Sequence, residues 1–184
     1  MVRIALGATL LVVSFTASPA CFSEAAARYG VSPQLLCAVA RCESDMRPDA
    51  VNRSHVARTG TVDYGLMQIN SGHLPWLKQY GITEQHLLDA CTNVQVGAYI
   101  LAEKMQRYGN SWEAVGAYNA ACTQLKGEKC TEARMKYAWC VHRRLAQCAD
   151  PASQKARPPT GQSSAAAFSS VTRSVAATTA AVVQ

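Results

Sequence analysis

From Ser32 onward the apolar positions of the chain recur at helical spacing, with capping residues between the runs. Ser32 offers an N-cap and Pro33 a first helical residue, which predicts a helix to about Ser44. A second helix is expected over Thr92–Tyr108, stopped by Gly109. Ser111 caps a third that runs into Ala117-Tyr118-Asn119, and Thr131 caps a fourth that reaches about Leu145. Between Asn52 and Asn70 the pattern changes to Gly, Thr and alternating polar residues, which predicts a small hairpin. The expected class is α+β, mainly α, with one short β-hairpin.

Both ends of the chain depart from this pattern. Arg3 precedes an apolar run from Ile4 to Phe15 and then Ala17-Ser18-Pro19-Ala20, the layout of a secretory signal peptide over residues 1–20. Cleavage after Ala20 makes Cys21 the first mature residue, and Ser18 and Pro19 fit a lipid-attachment signal poorly, so a disulfide is expected there. From Pro151 the composition turns to Ala, Ser, Thr, Gln and Pro, too poor in large apolar groups to offset the entropy of ordering. Residues 151–184 are therefore expected to be a disordered tail and residues 21–150 a single domain. No other run is long enough to span a bilayer, so the mature protein is expected to have no transmembrane segment.

Composition narrows the functional classes. The 184 residues are 49% hydrophobic and 16% charged, which excludes a wholly disordered, collagen-like or coiled-coil chain. Half of the net charge of +6 lies in the tail, since residues 21–150 hold fourteen basic and twelve acidic side chains. That balance gives no patch for tracking phosphates, and nucleic acid is not an expected partner. Eight cysteines without a Cys-x-x-Cys pair argue for disulfides in an oxidising compartment rather than a metal site. The histidines at 55, 73, 86 and 142 lack ligand spacing, and neither a Gly-rich phosphate loop nor Gly-x-Ser-x-Gly occurs. No metal and no cofactor are expected.

Candidate chemistry sits at Glu43. On the predicted helix, Leu36, Val39 and Glu43 are spaced by three and four residues, so the carboxylate leaves from the apolar stripe. Lost hydration there disfavours the charged form and raises the pKa, the condition for a general acid near neutral pH. The plainer alternative is a helix-end Glu that reaches water or pairs with Arg41 or Arg47.

Four segments occur in order: Arg41-Cys42-Glu43-Ser44, Asp63-Tyr64-Gly65-Leu66-Met67-Gln68-Ile69-Asn70, Gly116-Ala117-Tyr118-Asn119-Ala120-Ala121-Cys122 and Tyr137-Ala138-Trp139. Together they resemble the lytic transglycosylases of the lysozyme superfamily, above all the small periplasmic enzymes associated with type III and type IV secretion and conjugation. The resemblance covers about residues 21–147 and implies a lysozyme-like fold. It implies that Glu43 protonates the glycosidic oxygen between N-acetylmuramic acid (MurNAc) and N-acetylglucosamine (GlcNAc), then takes the proton of the muramyl 6-hydroxyl, giving a 1,6-anhydro product without water. It further implies that Ser44, Met67, Gln68, Tyr118, Asn119 and Tyr137 line the substrate cleft, although Met67 also suits plain core packing and Ser44 a helix cap.

By the same resemblance Cys21 pairs with Cys91, and Cys122, at a place where many relatives have Gly nearby, closes a small loop with Cys130. For Cys37, Cys42, Cys140 and Cys148 it implies no pairing. Residues five or eight apart on one helix are too distant for a disulfide, so any bridge among these four runs between helices; a free buried Cys42 is the alternative. The expected partners are peptidoglycan glycan strands and a type III or type IV secretion component, and the expected state is a periplasmic monomer.

Two rival readings remain at this stage. A lysozyme-like hydrolase would use Glu43 as acid and Asp63 as second carboxylate, with Asp63 otherwise bonding turn amides. A non-catalytic peptidoglycan-binding assembly protein would keep the fold alone.

Overall fold

The computed structural model describes residues 19–149. The leader expected over residues 1–20 lies outside the described residues apart from Pro19 and Ala20, and the tail over 151–184 lies wholly outside them. The chain forms two compact units that divide at Tyr99 and Ile100, inside the longest helix among the described residues.

In the first unit, α1 (Pro19–Tyr29) precedes α2 (Pro33–Ser44). Helix α1 was not expected from the pattern, because its start overlaps the leader boundary; it buries Cys21, Phe22, Ala25 and Ala26. Helix α2 has the predicted bounds. The Ser32 hydroxyl accepts from the Leu35 amide, Pro33 opens the first turn, and Asp45 ends the helix in a left-handed conformation. Leu36 and Val39 are fully buried, each contributing roughly 1.5–3 kcal/mol of transfer free energy.

The expected hairpin is a three-stranded antiparallel sheet of two-residue strands: β1 (Val51–Asn52), β2 (Asp63–Tyr64) and β3 (Ile69–Asn70), in that order. Short helix α3 (Val56–Thr59) lies in the connection between β1 and β2. Strands this short show no alternation long enough to count, and β1 begins at Val51, before the polar stretch. After β3 the chain winds through α4 (Leu74–Leu77) and short 3₁₀ turns to α5 (Ala90–Tyr108). That helix begins two residues before the expected Thr92, because Asp89 caps it; the Thr92 amide donates to Asp89 Oδ1 at 2.8 Å.

In the second unit, α6 (Trp112–Asn119) is capped by Ser111 as predicted, its hydroxyl accepting from the Ala114 amide at 3.2 Å. Helix α7 spans Gly127–Arg144, so Thr131 lies within it and is not its cap. The N-cap is Lys126, whose side chain makes no capping bond, and the start therefore carries no local signal. The two helices meet closely at Gly116, where an added Cβ would lie 2.5 Å from the Arg134 carbonyl oxygen.

Disulfides Cys21–Cys91 and Cys122–Cys130 close segments of 70 and 8 residues. Cys37, Cys42, Cys140 and Cys148 are disulfide-bonded too, which removes the reading of Cys42 as a free thiol. Among the described residues no helix is long and apolar enough to cross a membrane.

Candidate active site

Glu43 is the penultimate residue of α2 and is half-buried. The next residue ties this helix end to the segment after β2. Ser44 is 4% exposed, and its hydroxyl donates to the Leu66 carbonyl at 2.8 Å, with the Ala40 carbonyl a longer acceptor at 3.3 Å. The same oxygen accepts from the Arg47 amide, and Arg47 Nε donates to the Ser44 carbonyl. Ser44 thus holds the end of α2 to the segment after β2.

The Gly65–Gln68 turn is shaped from below by Asn93, a residue not singled out in the sequence. Fully buried on α5, it accepts from the Met67 amide at 2.7 Å and donates to the carbonyls of Tyr64 and Leu87 at 2.8 and 2.7 Å. Gly65 has φ 75°, and a Cβ there would overlap the Asn93 amide and the Leu87 carbonyl, so this position takes only glycine. Met67 is fully buried and packs against Gly97. The sequence signal for Asn93 was an amide at helical spacing with Gly97 and Leu101, one and two turns on.

Gln68 takes a left-handed φ of 50°, a conformation that costs a non-glycine residue on the order of 1–3 kcal/mol and gathers at functional sites. Its Nε2 donates to the carbonyls of Gly65 and Ala50 at 2.8 and 3.2 Å, which fixes the amide. The side chain is half-buried.

Asp63 occupies the central strand, opposite Asn52 of β1 and Asn70 of β3. Its carboxylate accepts from Asn70 Nδ2 at 2.7 Å and Asn52 Nδ2 at 3.4 Å, and meets His55 Nε2 at 2.6 Å. These partners are side chains, which removes the plainer alternative that Asp63 bonds turn amides. Beside it, burial and then the Glu84 carboxylate push the Tyr64 phenol above its ordinary 10.0.

In the second unit the Tyr118 and Tyr137 rings stack with centroids 6.3 Å apart and planes inclined by 18°. Tyr137 is buried, Tyr118 half-buried and Asn119 exposed. Arg134, also missed in the sequence, is buried behind them. Its Nε donates to the Ala120 carbonyl, which follows Asn119, and its other nitrogens to Glu113 Oε1 at 2.9 Å and Tyr108 Oη at 3.0 Å. The bond from Arg134 holds the Tyr108 phenol below its ordinary value. Its signal was position: Arg134, Tyr137, Ala138 and Val141 form one buried stripe at helical spacing. Cys122 takes a left-handed φ of 58° just beyond this segment.

No group of three or more His, Cys, Asp or Glu able to hold a metal occurs among the described residues.

The profile of the Transglycosylase SLT domain matches residues 20–138. Invasion protein IagB of Salmonella typhimurium is 44% identical over 134 residues, covering 71% of this chain and 79% of the relative. Protein IpgF of Shigella flexneri is 39% identical over 138 residues, covering 74% and 86%. A solved structure of an inactive mutant of lytic transglycosylase Slt from Pseudomonas aeruginosa superposes with a TM-score of 0.56 at 23% identity. It covers 78% of this chain and 25% of that one, so the likeness is of fold, with a quarter of a larger protein.

A mainly helical chain with a small antiparallel sheet and this neighbour has the lysozyme-like fold. The chain belongs to the SLT transglycosylase family, and its class is that of the peptidoglycan lytic transglycosylases.

Proposed function

We propose that the protein cleaves the β-1,4 bond between MurNAc and GlcNAc in peptidoglycan and releases 1,6-anhydroMurNAc ends, with Glu43 moving both protons. Glu43 protonates the leaving oxygen and, as carboxylate, then accepts the proton of the muramyl 6-hydroxyl, so no water enters. The observation that carries the reading is the bond from Ser44 to the Leu66 carbonyl, which fixes the residue after Glu43 to the turn presenting Gln68. In the first unit Gln68 offers an amide to sugar hydroxyl and acetamido groups; in the second, Asn119 offers an amide and Tyr118, stacked on Tyr137, a face and a hydroxyl. Asp63 holds the three strands and does not act on the sugar. Ser44 and Met67 position the site without touching substrate.

The leader-like residues 1–20 and the cysteine usage support export to the periplasm, where such disulfides form. The name of IagB, an invasion protein, supports local opening of the wall for a secretion apparatus. The test is mass spectrometry of products from purified peptidoglycan. Anhydro products, lighter by one water than hydrolytic ones, are expected, and Glu43→Gln should lower the rate by about 10²–10⁴-fold. Reducing-end products would overturn the transglycosylase reading in favour of hydrolysis.

A further inference from the structure

The first unit carries a second group of side chains that the cleft residues do not use. Tyr29 at the end of α1, Tyr99 on α5, Trp76 on α4 and Tyr80 in the 3₁₀ turn after it form a continuous row. Ring centroids are 5.9 Å apart for Tyr29 and Tyr99, 5.3 Å for Tyr99 and Trp76, and 6.0 Å for Trp76 and Tyr80. Trp76 Nε1 donates to His73 Nδ1 at 3.1 Å, so the polar edge of the indole is held within the protein. Tyr80 is 69% and Tyr99 38% exposed, a large aromatic area to leave in water.

His73 extends the row at Trp76, their ring centroids 6.1 Å apart. Among the described residues of this unit no Leu, Ile or Met is exposed, whereas a docking face for an apolar helix draws on such side chains. Rings with polar tips match the two surfaces of a pyranose: apolar C–H faces and a rim of hydroxyl and acetamido groups.

We propose that this row forms a second glycan-binding surface, on which sugar rings of the peptidoglycan strand stack outside the cleft. The proposal rests on peptidoglycan as the substrate class. A long, insoluble polymer makes such a surface useful, because a second contact on one strand raises the effective concentration of further bonds at the cleft.

The experiment measures sedimentation of the full-length protein with protein-free insoluble peptidoglycan, in a Glu43→Gln background so that nothing is cleaved. Tyr80→Ala should weaken retention by about two- to tenfold, and Tyr80→Phe, which keeps the ring face, should retain most of it. Trp139→Ala, which removes a 55% exposed ring from the other unit, should bind as the parent does. Equal retention of the Tyr80→Ala protein would overturn the proposal and leave the row to a protein partner. An equal loss with Trp139→Ala would also overturn it, as unspecific adhesion. Binding that depends on Tyr80 in a wild-type protein that cleaves nothing would instead refute the enzymatic reading and leave this surface standing.

Discussion

The Ser44 hydroxyl donates to the Leu66 carbonyl at 2.8 Å, so the helix end that bears Glu43 and the turn that bears Gln68 share one buried hydrogen bond. Ser44→Ala deletes it and leaves the Leu66 carbonyl and the Arg47 amide without that partner. A loss of about 1–3 kcal/mol in urea denaturation is expected. Because the acid shifts relative to Gln68, kcat should fall more than KM rises. A stable variant with unchanged kcat would show that the tie does not position Glu43.

Asn93 admits a sharper test, since its orientation is dictated by its partners: one backbone N–H and two backbone carbonyls, all buried. Asn93→Asp keeps an acceptor for the Met67 amide but turns an oxygen toward the carbonyls of Tyr64 and Leu87. Asp is nearly isosteric, yet it should cost at least about 3 kcal/mol, because like dipoles then meet away from water. Thermal unfolding of Asn93→Asp and Asn93→Ser measures this. Tolerance of Asp would mean that the turn is held by its strands alone.

Legibility in the sequence followed the presence of local signals. Helices α2 and α6 were readable because Ser32 and Ser111 cap them with their own hydroxyls. Helix α7 was misplaced at Thr131 because its true start, at Gly127 after Lys126, has no side-chain cap. The sheet escaped as a sheet because its register is set by Asn52, Asp63 and Asn70 facing one another across strands, a relationship between distant positions. Glu43 and Gln68 stood out by motif, but Asn93 and Arg134 act through bonds to backbone, each within its own unit, and lie outside the motifs.

Arg134 is expected to resist conservative replacement. Its planar fork reaches the Ala120 carbonyl, Glu113 and Tyr108 at once, and its guanidinium carbon lies 4.5 Å from the centre of the Tyr108 ring. Lysine has one nitrogen and cannot span these directions. Arg134→Lys should therefore lower stability by about 1–3 kcal/mol, and should raise KM for peptidoglycan by loosening the Tyr118-Asn119 end of α6. The Tyr108 phenol, held low chiefly by the bond from Arg134, should titrate later in Arg134→Met when followed by ultraviolet absorbance.

The cap of α5 gives the domain a predictable acid dependence. Hydrogen bonds from Thr92 hold the Asp89 carboxyl below its ordinary 3.8, so the folded state favours the carboxylate. The stabilisation is complete above that ordinary value and is lost as pH falls through the lower folded value. Asp89→Ala should cost about 0.5–2 kcal/mol at pH 7, the usual worth of an N-cap. The gap between the variant and the wild type should close as the pH is lowered from 5 toward 2. A constant gap across that range would mean that Asp89 acts through packing rather than through its charge.

Asp63 decides between one working carboxylate and two. In a hydrolase it would face the developing positive charge on the sugar, and its loss would cost about 10²–10³-fold. Here its oxygens accept from Asn52 and Asn70 on the flanking strands and meet His55, so the carboxylate is already engaged by its own sheet. Asp63→Asn keeps the shape and one acceptor oxygen, and turns an amide toward one of these partners. The expected result is a stability loss of about 1–2 kcal/mol with cleavage of peptidoglycan within about threefold of wild type. His55→Ala, which leaves the carboxylate but removes one partner, should reproduce that pattern, since both changes act on the sheet. A drop beyond about a hundredfold in Asp63→Asn alone, with an unaltered melting temperature, would instead make Asp63 a second catalytic carboxylate. Product masses complete the decision: wild-type anhydro ends that persist in the slow Asp63→Asn reaction place the chemistry on Glu43, whereas reducing ends in both place it on a water that the pair of carboxylates directs.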